Sequence, residues 1–214
     1  MKPIVVALLI VISCISAEAQ QLAVLHYNGG GDWYSNPTSV PNLVNFCNQN
    51  LQTNLEPKVV TVKPETNDLF EYPFIHATGH GNILFNEQEL ENIRNYLLAG
   101  GFLHIDDNYG MAKFAKREIE KLFPNKDLVP IGIDHPIFKS PYTFNRGLPK
   151  IHEHEGKAPE AFGIFDNGRL ILLLTVECDL GDGWEDAEVH NDPNEIRQKA
   201  LEFGANIINY VFSF

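Results

Sequence analysis

The stretch Gly100-Gly101-Phe102-Leu103-His104-Ile105-Asp106-Asp107-Asn108 decides our interpretation of the fold. Its two glycines follow a helical pattern, and its apolar centre ends in carboxylate and amide side chains. Three other apolar runs also end in polar residues. They are residues 22–25 before His26, 73–75 before 76–81, and 170–176 before 177–179. As parallel strands, the four runs would align their carboxyl ends along one sheet edge, where open α/β folds bind ligands.

The remaining patterns predict alternating strands and helices, followed by a hairpin and a closing helix. The hairpin turn is Asp166-Asn167-Gly168, and Asn86 with Glu89 three residues later predicts a capping box. The predicted strands are 22–27, 58–62, 74–77, 102–106, 128–131, 161–165 and 169–174, and the predicted helices start near residues 40, 86, 111 and 194. This order predicts a three-layer α/β sandwich with a mostly parallel sheet and an added hairpin.

Residues 1–19 have the features of a secretory signal peptide. Lys2 is followed by an apolar segment, residues 4–12, and by the small-x-small cleavage signal Ala17-Glu18-Ala19. We therefore predict an exported, periplasmic or extracellular protein whose mature chain, residues 20–214, is a single domain. Lipid anchoring at Cys14 is the alternative; we favour simple export because the first predicted strand follows almost at once. No segment of the mature chain has the length and hydrophobicity of a membrane span.

The composition limits the partners. The formal net charge is -12, which argues against nucleic acid and anionic membrane surfaces, because both select clustered Lys and Arg. Acidity is compatible with a cationic ligand or a metal ion. The mature chain keeps Cys47 and Cys178, which we predict to be buried free thiols.

Three ordered motifs resemble a known family. They are Tyr72-Pro73-Phe74…Thr78-Gly79-His80-Gly81, Gly100-Gly101-Phe102-Leu103…Asp106-Asp107 and Asp134-His135-Pro136-Ile137. Together they are similar to the bacterial domain of unknown function 4159 family, over nearly all of the mature chain. The resemblance implies a flavodoxin-like fold related to class I glutamine amidotransferases, and it implies no activity.

The same resemblance argues against amidotransferase chemistry. Those enzymes carry a nucleophilic Cys at the sharp turn after the fourth strand. Here that turn, residues 105–110, contains neither Cys nor Ser, and no Gly-x-Ser-x-Gly elbow occurs elsewhere. We therefore exclude an active glutamine amidotransferase and leave open whether the protein is an enzyme.

Polar and aromatic residues near the predicted edge are the candidate site. The ligand-binding candidates are Trp33, His80, Asp106, Asp107, Tyr109, Glu153, Asp179 and Trp184. The metal-ligand candidates are His80, Asp106, His152 and His154. The last two alternate along an extended segment, so they would share one face. We expect residues 151–156 to fold over the strand ends, and His80, Asp106 and Asp107 to open into one pocket.

Each candidate also has a structural interpretation. His76 and His104 lie within strands, and His104 in particular is expected in the core. One of Asp106 and Asp107 is expected to cap the next helix, which leaves the other free for a ligand. Residues 179–186 are rich in acids but lack EF-hand spacing, so an acidic turn with Trp184 packed inward is the alternative to a calcium loop. A solvated loop is the alternative for residues 152–155.

Two classes of function remain. The first is an exported binding module for a polar small molecule, a glycan or a protein partner at the strand ends. The second is a metal-assisted hydrolase whose His and Asp ligands hold a divalent cation in the same cleft. We favour binding because the sequence shows no nucleophile and matches no established metal motif.

Overall fold

The predicted sheet is present and has seven strands. The computed structural model describes residues 19–214. The strands are β1 (Ala23–Leu25), β2 (Val60–Val62), β3 (Phe74–His80), β4 (Phe102–Tyr109), β5 (Val129–Pro130), β6 (Glu160–Asp166) and β7 (Arg169–Val176). Their order in the sheet is β2-β1-β3-β4-β7-β6-β5. The first four strands and β7 pair in parallel, while β5 and β6 are antiparallel at one side, as predicted.

Six α-helices accompany the sheet in the described residues 19–214. They are α1 (Ser39–Asn50), α2 (Glu87–Leu98), α3 (Ala112–Leu122), α4 (Leu180–Trp184), α5 (Ala187–His190) and α6 (Asn194–Ser213). The four long helices were predicted. Helices α4 and α5 were not, since we expected an acidic turn between β7 and the last helix. These two helices carry Asp182 and His190, which belong to the candidate site described below.

The central strands are buried on both faces. Ile75 pairs with Leu103 and Ala77 with Ile105 between β3 and β4, and Ile75, Leu103 and Ile105 are exposed by only 1%, 1% and 0%. Alternate residues enter two separate apolar clusters, one on each face of the sheet, because successive side chains of a strand point in opposite directions. The three-layer sandwich is therefore confirmed.

The start of α2 has a predicted cap, and the start of α1 has one that we did not predict. The Asn86 side chain accepts a hydrogen bond from the Glu89 backbone, and the Glu89 carboxylate accepts one from Asn86, which completes the predicted capping box. At α1 the capping carboxylate comes from far along the chain. Glu185 accepts hydrogen bonds from the backbone amides of Thr38 and Ser39 at 2.9 and 2.8 Å, which ties the α4–α5 segment to α1.

The structure bears on the cysteine prediction but not on the predictions for the N-terminus. Residues 1–18 lie outside the described residues, so the signal peptide and the lipid anchor at Cys14 stay predictions. Across residues 19–214, no helix combines the length and hydrophobicity needed to cross a membrane. Cys47 and Cys178 are both buried and free, as predicted.

Gly79 is required by a close approach of β3 to Tyr27. Its φ is +138°, and a Cβ atom there would lie 2.5 Å from the Tyr27 hydroxyl. That hydroxyl is buried and donates to the Thr78 carbonyl at 2.9 Å, so it cannot move without losing the bond. Gly100 has a similar φ of +112° but nothing within 4 Å of its Cβ position.

We predict that Gly79→Ala lowers the free energy of unfolding by ~1–3 kcal/mol more than Gly100→Ala does, because only the first adds a steric clash to the backbone strain. Urea denaturation of the two variants and the wild type measures the difference. Equal losses in the two variants would contradict the predicted clash at Gly79.

Candidate functional site

The Asp106 carboxyl group lies at the centre of the predicted edge but is completely buried. Its Oδ1 contacts the Thr175 hydroxyl on β7 at 2.5 Å, and its Oδ2 accepts a hydrogen bond from the Gly181 amide of α4 at 2.7 Å. Burial raises the pKa of this carboxyl group to about 7. Since both oxygens are engaged inside the protein, Asp106 is not the free ligand-binding carboxylate that we expected.

Asp107 is the capping residue of the pair. Its Oδ1 accepts a hydrogen bond from the Met111 amide at 2.6 Å, just before α3. Burial raises the pKa of Asp107 above its ordinary value. One of the two neighbouring carboxylates therefore caps a helix, as predicted, while the other links two strands and a helix.

A sharp turn after β7 brings Asp179 into the site. Glu177 and Asp179 have φ values of 59° and 52°, a left-handed conformation that is uncommon outside glycine. The turn buries Asp179 completely. Its Oδ2 contacts His154 Nε2 at 2.5 Å and His152 Nδ1 at 3.2 Å, while its Oδ1 has no hydrogen-bond partner within residues 19–214.

The His152 ring lies among three carboxylates. Besides Asp179, its Nδ1 contacts Asp182 Oδ2 at 3.0 Å, and its Nε2 contacts Asp192 Oδ2 at 3.2 Å. The hydrogen bonds to Asp179 and Asp182 raise the pKa of His152 to about 10. The expectation that residues 151–156 fold over the strand ends is therefore met for both histidines. Glu153, in contrast, points to solvent and pairs with Lys150 at 2.7 Å.

Asp182 is held in place by two amides and faces a third histidine. Asn36 and Asn108 donate to its Oδ1 at 2.6 and 2.9 Å, and His190 Nε2 lies 3.7 Å from the same oxygen. Although burial acts to raise the pKa of Asp182, hydrogen bonds from His152 and Asn36 lower it below its ordinary value.

One group of three side chains has the spacing of a metal site. His152, Asp182 and His190 each offer a ligand atom, and the three atoms lie within 4.8 Å of one another. The tentative sequence-based set shares only His152 with this group. Sequence reasoning missed Asp182, His190 and Asp192, because the pattern near residues 179–192 fits no spaced motif and their partners are distant in sequence.

A cavity of about 540 Å³ lies at the ends of β4 and β7. Tyr109, which is 49% exposed, stands in its wall and packs on the His154 ring with centroids 4.7 Å apart. The charged lining residues are Asp107, Lys113, Lys116, Glu155, Lys157, Glu160 and Glu177. The lining of the cavity therefore contains both signs of charge.

The other predicted residues lie apart from this cavity. His80 is exposed and pairs with Asp32, with 3.0 Å between Nδ1 and Oδ2. Trp33 stacks on His26 at 4.2 Å and lines a separate pocket of about 210 Å³. Within residues 19–214 the single pocket expected for His80, Asp106 and Asp107 is not formed, since Asp106 is completely buried and, of the three, only Asp107 lines the large cavity.

Trp184 requires a correction as a ligand-binding candidate. It is 0% exposed, and its indole nitrogen donates to the Ala200 carbonyl at 2.8 Å. The indole packs against His76 and His104, with ring centroids 5.1 and 5.8 Å away. Trp184 is therefore a core residue, in agreement with the alternative in which it packs inward.

His76 and His104 form a buried pair beneath the site. Their Nδ1 atoms are 3.1 Å apart, and His104 Nε2 contacts the Thr175 hydroxyl at 2.9 Å. Burial lowers the pKa of His76 to about 3. The pKa of His104 is also lowered, by burial and by its neighbour His76. Both rings are therefore neutral at pH 7, which agrees with a core role.

The pair predicts a loss of stability in acid. Below pH 6.5, His76 binds a proton in the unfolded chain but stays neutral in the folded one. The free energy of unfolding therefore decreases as the pH falls from 6.5 towards 3, by about 1.4 kcal/mol per pH unit. We predict that His76→Phe reduces this pH slope by about that amount. Urea denaturation between pH 4.5 and 7.5 measures it.

Phe102→Leu is the matched control, since it perturbs the same core without removing an ionisable group. Its stability should be lower at every pH, with the wild-type slope. A His76→Phe slope equal to that of the wild type would show that this histidine is not held neutral by the fold.

Comparison with known proteins agrees with the motifs. No curated protein matches this chain. A family model described as a domain of unknown function, DUF4159, matches residues 21–212, which cover the whole sheet and the candidate site. The chain therefore belongs to the DUF4159 family.

Proposed function

We propose that this domain binds a small anionic sugar or a similar polar molecule in the cavity beside Tyr109. The observation that carries the proposal is the cavity itself. It has about 540 Å³, a volume suited to a small ligand, and it lies at the carboxyl ends of β4 and β7, where open α/β sheets bind ligands.

The lysines of the cavity favour an anionic group on the ligand. Lys113 and Lys116 lie over the rings of Phe114 and Phe162, 4.7 and 4.0 Å from the centroids. Within residues 19–214 neither lysine forms an ion pair. The aromatic contacts limit the motion of both ammonium groups, which leaves their positive charge available to a phosphate or carboxylate.

The carboxylates of the same cavity favour hydroxyl or amine groups on the ligand. The buried Oε2 of Glu177 faces Lys150 at 3.6 Å, but Glu160 also lines the cavity and carries carboxylate oxygens. Such oxygens accept hydrogen bonds from sugar hydroxyls. The half-exposed Tyr109 ring adds an apolar surface next to these polar groups, an arrangement that suits the faces of a sugar ring.

Metal-assisted hydrolysis remains the second candidate function. The observation that favours it is the group of His152, Asp182 and His190, which has the donor types of a catalytic metal centre. His154 connects the two regions, because it contacts both Asp179 and Tyr109. Hydrolysis would additionally require a bound cation and a cleavable substrate, so ligand binding is the simpler proposal.

We predict that the protein binds glucose 6-phosphate or glucuronate more tightly than glucose, because Lys113 and Lys116 select an anion. Lys116→Ala and Tyr109→Ala should each weaken binding about 10-fold or more, as loss of a charged contact or a stacking surface does. Isothermal titration calorimetry with EDTA present measures the affinities.

Two exposed residues away from the cavity provide matched controls. Lys63→Ala and Tyr34→Ala remove a lysine and a tyrosine from surfaces outside the cavity. Tyr34 is 66% exposed, and the Lys63 side chain is 55% exposed. Both controls should bind as the wild type does. The proposal fails if neither anionic probe binds, or if the controls lose as much affinity as the cavity variants.

A further inference from the structure

We propose that His152, Asp182 and His190 form a binding site for a divalent transition-metal ion. The proposal does not depend on a ligand in the cavity, since the three residues do not line it. It concerns a site that is built by the α4–α5 segment and the loop before β6, two parts of the chain that meet only in the folded protein.

The donor atoms are already close to the required spacing. In tetrahedral zinc sites, bond lengths of ~2.0–2.1 Å place neighbouring donors about 3.4 Å apart. His152 Nδ1 is 3.0 Å from Asp182 Oδ2, and His190 Nε2 is 3.7 Å from Asp182 Oδ1. The widest separation among the three ligand atoms is within 4.8 Å, so small side-chain rotations would bring them around one ion.

A buried carboxylate oxygen supports the presence of a cation at this place. Asp179 is 0% exposed and its Oδ1 has no hydrogen-bond partner in the part of the chain that the structure describes, although buried polar atoms are almost always paired. Its other oxygen contacts His152 Nδ1 at 3.2 Å, so the carboxylate borders the group. A metal ion beside Asp182 and His152 would compensate the charge of Asp179 or accept it as a fourth ligand.

Hydrogen bonds from neighbouring residues orient the proposed ligands. In known metal sites, residues around the ligands have the same effect. His152 turns Nδ1 to Asp182 and Nε2 to Asp192, at 3.2 Å from Oδ2. This arrangement corresponds to the carboxylate–histidine–metal pattern, in which the second ring nitrogen donates to a carboxylate. Asn36 and Asn108 donate to Asp182 Oδ1, which leaves Oδ2 facing the histidine.

The donor set indicates which ions would bind. Two imidazoles with one carboxylate suit zinc, copper, iron, cobalt or nickel, whereas calcium and magnesium prefer sets made of oxygen alone. The His190 side chain is 32% exposed and that of Asp182 is 9% exposed. The site therefore has one ligand at the surface, through which an ion can enter, and one that is anchored inside.

A proton is the competing occupant. If His152 is simply an imidazolium held by three carboxylates, the cluster needs no metal, and added zinc will bind weakly or elsewhere. Removal of His190 separates the two cases, because His190 is a ligand in the metal site but contributes little to an ion pair centred on His152.

The experiment is calorimetric titration of the full, chelator-treated chain with zinc, cobalt and calcium chlorides. We expect one zinc ion per chain, calcium binding at least 100-fold weaker, and His190→Ala weaker than wild type for zinc by 10-fold or more. Cobalt should give a visible absorption spectrum that the same variant loses. Asp192→Asn, which removes an outer partner, should also weaken zinc binding about 10-fold or more.

His80→Ala is the matched control, because His80 also pairs with an aspartate on the surface, at Asp32, far from the proposed ligands in sequence. It should bind zinc as the wild type does. The proposal is overturned if the wild type binds no zinc, if His190→Ala binds it unchanged, or if His80→Ala loses the same affinity. Circular dichroism of each variant verifies that it is folded.

Discussion

The buried Asp106 carboxyl group connects the three elements on which the candidate site depends. It extends from β4, contacts Thr175 of β7 and accepts a hydrogen bond from Gly181 of α4. Loss of either partner would leave a buried polar group unpaired, which costs about 1–3 kcal/mol or more for a charged group. This one group therefore fixes where α4 begins and, through that, where Asp179 and Asp182 lie.

The parallel sheet determines where the candidate site lies, and the segments around the strand ends carry its imidazole and carboxylate groups. Strands buried on both faces cannot present polar side chains along their length, so these side chains concentrate where the strands end. His76 and His104 are the exceptions, and they are neutral, paired and connected through Thr175 to Asp106. Above this core, the loop carrying His152 and His154 and the α4–α5 segment bring imidazoles and carboxylates together. His154 connects this group to the wall of the cavity, because it contacts both Asp179 and Tyr109.

Most of the fold was predictable because it depends on local patterns. Apolar runs, the Asn86 capping box and the Asn167-Gly168 turn each act within a few residues, and each is present as expected. Helix α4 was not predictable, since Leu180–Trp184 contains two glycines and a poor helix sequence. It forms because Trp184 is buried and Asp106 accepts the Gly181 amide. Asp182 was not predicted as a site residue because its position depends on a distant partner. Asn36, 146 residues away, donates a hydrogen bond to it, and no spacing within the sequence reveals such a partner.

Hydrogen–deuterium exchange of Asp106→Ala tests the central role of this carboxyl group most directly. We expect faster amide exchange in residues 178–185, and in the 151–156 loop that contacts them, while the amides of β3 and β4 near Ile75 and Leu103 stay protected. An unchanged pattern would mean that Asp106 does not hold the site together. An equal increase over the whole chain would mean that it stabilises the fold without organising the site.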